Sequence, residues 1–235
     1  MAVPVVNLEL DSVRVTNDDW FLTAEGSFAE GVHLVSGEVG SGKTSLALIM
    51  AGLCSPRTGS VLRNGISSVM ISFQFPESHI TGSTVREECD SWGSDSDWIL
   101  KDAHLEDHAD RDPLNLSRGE MKRLNLACVM NGSYELLILD EPFSSLDVIE
   151  KDRICKEISQ RSKGITIIFT HEQEIFPRID HLWEIHRGTL INCGQVPGAL
   201  LNWKNAPPLI QKLVARGKLP VNITREDLVE AACRT

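Results

Sequence analysis

The sequence predicts an α/β protein whose central sheet is parallel and covered on both faces. Three observations carry that prediction. The apolar run Gly31–Ser36 stops at a glycine cluster, and Ser45–Leu53 then stays apolar almost continuously, as a buried helix would. Leu136–Leu139 ends in Asp140-Glu141-Pro142, and Ile165–Thr170 ends at His171. Short, wholly apolar runs of this kind mark central parallel strands rather than half-solvated ones.

From the N-terminus onward, Val5–Leu10 and Val13–Thr16 alternate loosely and predict two strands, and Gly31–Ser36 predicts a third. Ser60–Leu62 and Val69–Ser72 predict strands on either side of Asn64-Gly65, a strong turn signal. Between Pro76 and Leu116 the chain is polar and acidic, with Trp92 and Trp98, which predicts an accessory lobe of short helices and loops. Gly119–Met130 places Met121, Leu124, Ala127 and Cys128 on one helical face and Lys122 and Arg123 on another. From about Val196 a helical tail is expected, broken at Pro207-Pro208, with a last helix starting near Thr224. The expected division is a main domain over 1–195, containing a helical subdomain at about 76–131, and a short helical tail over 196–235.

With 235 residues, 42% of them apolar, the chain can bury a full core, which excludes disordered, collagen-like and miniprotein classes. The 23 basic and 33 acidic residues give a net charge of −10. That balance argues against nucleic acid as a partner, since duplex binding draws affinity from Lys and Arg neutralising phosphates. Cys54, Cys89, Cys128, Cys155, Cys193 and Cys233 form no CxxC pair and read as reduced thiols of a cytosolic protein. The sequence shows neither a signal-peptide pattern nor an apolar run of about 18 residues, so work at a membrane would need another subunit.

Gly37-Glu38-Val39-Gly40-Ser41-Gly42-Lys43-Thr44, followed by Ser45, fits G-x-x-x-x-G-K-[ST] between a predicted strand and a predicted helix. The glycines let backbone N–H groups turn inward around a phosphate, and the helix N-terminus adds a favourable dipole. Lys43 is expected to reach the β- and γ-phosphates and the Thr44 hydroxyl to bind Mg²⁺. A bare glycine-rich turn is the plain alternative, and the flanking strand and helix argue against it. Asp140 and Glu141 stand at a strand C-terminus, where α/β sheets bind ligands. Asp140 is suited to hold Mg²⁺ through water and Glu141 to orient an attacking water. Without the upstream loop, two acids capping the next turn would be the better reading.

The remaining motifs resemble, in order, those of an ATP-binding-cassette (ABC) ATPase. Phe73-Gln74-Phe75-Pro76-Glu77 resembles the Q-loop, and Leu116-Ser117-Arg118-Gly119-Glu120 the signature LSGGQ. Ser145-Leu146-Asp147 resembles the D-loop, and His171 the switch histidine. The resemblance implies a P-loop NTPase core with an N-terminal antiparallel β subdomain, ATP and Mg²⁺ as ligands, and head-to-tail pairing of two ATPase subunits. It also implies that Ser117 and the Gly119 amide contact ATP held by the partner. By the same resemblance His171 holds the γ-phosphate and the attacking water, Gln74 links Mg²⁺ and that water to the transport machinery, and Asp147 reaches across the dimer. FQFPESHITGSTVREE and the final PPLIQKLVARGKLPVNITREDLVEA are similar to the energy-coupling-factor subgroup, which includes vitamin, cobalt and nickel importers. An integral membrane transport subunit and a peripheral place on the cytoplasmic face of the cell membrane follow from that resemblance.

Several features depart from the family pattern. Arg118 replaces the first signature glycine; a working site is still expected. The adenine-stacking aromatic falls on Val15, with Trp20 or Phe21 as substitutes or as core. Gln74 and Ser117 are only 43 positions apart, which predicts a reduced lobe. His104 and His108, four apart, would share a helical face, and with no third ligand they read as part of a solvated acidic helix. Two rival readings stay open: a cassette ATPase acting on nucleic acid or ribosomes, and a catalytically weak ATP-sensing partner in a heterodimer.

Overall fold

The computed structural model describes residues 6–17, 20–93, 95–161 and 163–234. Among them a nine-stranded mixed sheet runs in the order β4-β1-β2-β9-β8-β3-β7-β6-β5. Its centre is parallel. β3 (Gly31–Gly37) lies between β7 (Ile165–Thr170) and β8 (His181–His186), and β6 (Leu136–Asp140) lies between β7 and β5 (Val69–Ser72). The other half is largely antiparallel: β1 (Asn7–Asn17) pairs with β2 (Trp20–Ala29) and β4 (Thr58–Asn64), and β8 with β9 (Thr189–Gln195).

Two expectations change here. The two N-terminal strands are one strand, β1, with a bulge between Leu10 and Val13 where Ser12 has φ 49°, and Val5 lies outside the described residues. A bulge interrupts alternation without ending the strand, so the sequence pattern shows a gap. Asn64-Gly65 closes no hairpin, because β4 and β5 take different partners and lie at opposite edges of the sheet. β2, β8 and β9 carry no clean signal. Arg187 and Gly188 join β8 to β9 with positive φ at both residues, 49° and 72°, as a two-residue hairpin turn requires.

Helix α1 (Lys43–Ala51) explains how distant edges belong to one body. Its Leu46, Ala47, Ile49 and Met50 pack with Leu8 and Leu10 of β1, Ile71 of β5 and Ile138 of β6, so both halves of the sheet close on the same helix. Leu137 and Leu139 point to the opposite face, among α5 (Val148–Gln160), Trp203, Ile210 and Leu213. The C-terminal helices, α6 (Pro208–Ala215) and α7 (Arg225–Cys233), therefore complete the main core. Pro207-Pro208 starts α6, since proline suits a first helical turn, and Thr224 caps α7 by accepting the Asp227 amide at 3.2 Å.

The lobe contains α2 (Val85–Ser91), α3 (Ser96–Asp102) and α4 (Arg118–Met130), with its own cluster around Val85, Cys89, Ile99 and Leu124. Met121, Leu124, Ala127 and Cys128 do face one way, into this cluster, while Leu126 and Val129 face the main core. Lys122, on the other face predicted for it, is nonetheless 1% exposed, because α4 is packed on two sides. Arg153 of α5 joins Asp102 of α3 at 3.0 Å across the junction. The two histidines share no helical face. His104 occupies a left-handed turn and His108 ends a single 3-10 turn, beside Glu150 and Glu120 respectively.

Candidate functional site

β3 delivers the glycine loop and α1 receives it. Gly42 precedes α1 with φ 94°, and a Cβ there would lie 2.9 Å from the Trp20 ring, so both the backbone conformation and the close approach demand glycine. Lys43 donates to the carbonyls of Gly37 at 2.8 Å and Glu38 at 3.0 Å, which folds the loop around its own ammonium. Val39, Gly40, Gly42, Lys43, Thr44 and Ser45 line a cleft of about 270 Å³ together with Trp20, Gln74, Glu141 and His171. Ser41 lies beneath, its hydroxyl buried without a partner and filling the space a Cβ on Gly37 would take.

The strand-end acids meet the loop from below. Thr44 Oγ1 donates to Asp140 Oδ2 at 2.7 Å, while Asp140 Oδ1 is buried with no hydrogen-bond partner. Burial pushes the Asp140 carboxyl above the usual aspartate range, against the pull of the Thr44 hydroxyl. Glu141 takes φ 49°, a conformation that costs a non-glycine residue energy and turns its side chain toward the cleft. Its carboxylate accepts from Thr170 Oγ1 at 3.2 Å and the His171 amide at 3.3 Å, lies 2.7 Å from His171 Nδ1, and faces Lys43 Nζ at 3.6 Å. Parallel pairing of β6 with β7 brings the two strand ends side by side.

Of the candidate aromatics, Trp20 lines the cleft. Val15 does not line it, although both residues pack against the cluster around α1. Phe21, next along the strand, points the other way and is half exposed under the Arg14 guanidinium. Alternation along β2 decides between the two neighbours.

Ser117, Gly119 and Asp147 are absent from the cleft. Ser117 caps α4, accepting the Glu120 amide at 3.3 Å while Glu120 accepts the Ser117 amide at 2.8 Å. The box leaves the Ser117 side chain exposed beside an exposed Arg118. Gly119 runs close to the D-loop, where a Cβ would stand 3.0 Å from the Ser145 carbonyl. Asp147 caps α5 by accepting the Glu150 amide at 2.9 Å. Gln74 lies between the two groups, lining the phosphate-loop cleft and also a smaller pocket with Arg118, Lys122 and Ser145.

Sequence and structure comparisons bear on the family and the fold. The family model described as ABC transporter matches residues 27–144. Over 214 residues the chain is 32% identical to the energy-coupling factor transporter ATP-binding protein EcfA1 of Thermotoga maritima, covering 80% of this chain and 81% of that one. The fold is similar to that of cbiO1 from Clostridium perfringens, part of the ABC transporter complex cbiONQ, with a TM-score of 0.61 at 24% identity over 80% and 87% of the two chains. It is also similar to a dimeric ATP-binding cassette bound to ADP and Pi, with a TM-score of 0.66 at 17% identity over 79% and 98%. A glycine loop, strand-end acids and a histidine in one cleft, inside a fold and a sequence of this kind, place the chain in the ABC transporter family as a nucleotide-binding, ATP-hydrolysing cassette.

Proposed function

We propose that this chain is the ATPase subunit of an energy-coupling-factor type importer, working as one of a pair of cassettes beneath an integral membrane transport subunit that moves a vitamin or a transition-metal ion. The supporting observation is the split between Lys43, Glu141 and His171, which share one cleft, and Ser117 and Asp147, which are exposed and do not line it. A second cassette set head to tail supplies the missing half. Similarity to an energy-coupling factor ATP-binding protein over four-fifths of the chain supports the class of transporter. No helix among the described residues is long and apolar enough to cross a membrane, so attachment falls to the membrane subunit, on the cytoplasmic face. The working division is the cassette over 1–195, with its helical lobe at 76–131, and the tail over 196–235 packed against it.

In this reading Gly37 to Ser45 wrap the phosphates with backbone amides, Lys43 exchanges loop carbonyls for phosphate oxygens, and Trp20 stacks on adenine. The donor set fits Mg²⁺: the Thr44 hydroxyl and Gln74 line the cleft and would offer hard oxygen ligands, and Asp140, bonded to Thr44 and with Oδ1 unpartnered, would hold the ion through water. When bound, Mg²⁺ neutralises charge on the transferring phosphoryl group. Glu141 orients a water whose oxygen bonds to the γ-phosphorus as the bond to the β-phosphate oxygen breaks, and the water's proton passes to the Glu141 carboxylate. His171, whose Nδ1 lies 2.7 Å from that carboxylate, holds the γ-phosphate and the water.

The test is turnover of the purified chain with its membrane subunit, beside Glu141→Gln. We expect a loss of about 10²- to 10³-fold with ATP binding retained. Unchanged turnover removes Glu141 from this role, and tight ATP-dependent retention of nucleic acid on a filter at low salt overturns the transport reading.

A further inference from the structure

We propose that His79 and Lys122 are positioning residues that clamp the backbone of Phe73 from both sides and so set where Gln74 enters the nucleotide cleft. The Phe73 amide donates to His79 Nε2 at 3.2 Å, and the Phe73 carbonyl accepts from Lys122 Nζ at 3.2 Å. β5 ends at Ser72 and the next 3-10 turn begins at Pro76, so this short stretch has no strand ladder to hold it. The two side chains replace the ladder. The His79 ring also stacks on that of Phe73, with centroids 4.7 Å apart.

Lys122 is costly to bury, since an ammonium leaving water loses several kcal/mol of solvation unless it is paired. Burial pulls it down to about 8, against the attraction of the Asp140, Glu141 and Glu77 carboxylates, which favours its charge. Three residues along the same face of α4, Asn125 Oδ1 accepts from Ser72 Oγ at 2.7 Å, so two polar side chains of one helix fix two successive residues at the end of β5. α4 is the helix that begins at Ser117. A displacement at the signature is therefore carried within two helical turns to the residue before Gln74.

The inference rests on the reading that Gln74 acts in the cleft. Lys122→Met and His79→Leu remove one arm each, and Lys122→Arg and His79→Gln keep a donor and an acceptor. With the full chain we expect Lys122→Met and His79→Leu to lose about tenfold in turnover at saturating MgATP, like Gln74→Ala, with ATP affinity within about twofold. Lys122→Met combined with Gln74→Ala is expected to lose no more than either alone. The conservative variants recover turnover to within about threefold, and amide exchange of Phe73 quickens about tenfold in His79→Leu, a readout independent of turnover. Unchanged turnover in Gln74→Ala removes the Gln74 reading. Normal turnover and exchange in His79→Leu, or additive losses in the double variant, overturn the clamp while leaving that reading intact. Should Lys122→Met not fold, His79→Leu carries the same test from the other side.

Discussion

The phosphate-loop half of the site and the signature half are built by opposite means. Lys43, Thr44, Asp140, Glu141 and His171 form a connected set of contacts drawn from the start of α1 and the ends of β6 and β7. Ser117 and Asp147 instead satisfy only the first turns of their own helices. A group that caps locally keeps its position whether or not anything stands opposite, and it leaves an open surface. The first half is connected within one chain, and in the proposed pairing the second serves a partner.

The sharpest way to break that contrast is a pair of variants. Lys43→Ala should weaken ATP binding to the lone chain by about 100-fold, the loss of a buried charge-assisted contact, measured by titration with a fluorescent ATP analogue. Ser117→Phe should leave that affinity within about twofold yet abolish turnover of the assembled complex. If it weakens lone-chain binding, the halves are not separable.

A second contrast lies between the cores. Leu139→Ala, in the cluster shared by strands and tail, should cost about 2–5 kcal/mol in denaturant unfolding. Ile99→Val, in the lobe, should cost about 1 kcal/mol and leave nucleotide affinity unchanged.

His33 sharpens the same picture through pH. It is buried beneath β2, accepts from Trp183 Nε1 at 3.1 Å, and burial pulls it down from 6.5 to about 4. The unfolded chain therefore takes up this proton first, so stability is full above 6.5 and falls as pH drops toward 4. Between pH 6.5 and 5 the loss should be about 2 kcal/mol, and His33→Gln should flatten that slope in thermal melts. The smallest effect is expected of Arg118→Gly. Its side chain is exposed and the Ser117–Glu120 box does not depend on it, so turnover should change by no more than about threefold.

Much of this was legible because parallel strands buried on both faces leave short apolar runs. β3, β6 and β7 stand where such runs do, and each leads into residues that line the cleft. β2, β8 and β9 escaped because one side of each strand is mixed in character, so neither alternation nor a continuous run marks them. The choice of Trp20 over Phe21 needed the strand's phase. Lys122 escaped for a different reason: a helical wheel assigns a lysine to water, and only the packing of α4 between two cores reveals that no water is there.

The position of β3 has a consequence for how the protein is made. Both neighbours of the strand that carries the phosphate loop, β7 and β8, come far downstream, from Ile165 onward. On the ribosome the glycine loop emerges early but has no sheet to hold it until most of the chain has been synthesised. Contacts of such long range close late and slowly. A nascent chain cut short before β7 leaves both edges of β3 and its apolar residues without strand partners, a surface that chaperones and proteases would meet before any nucleotide could.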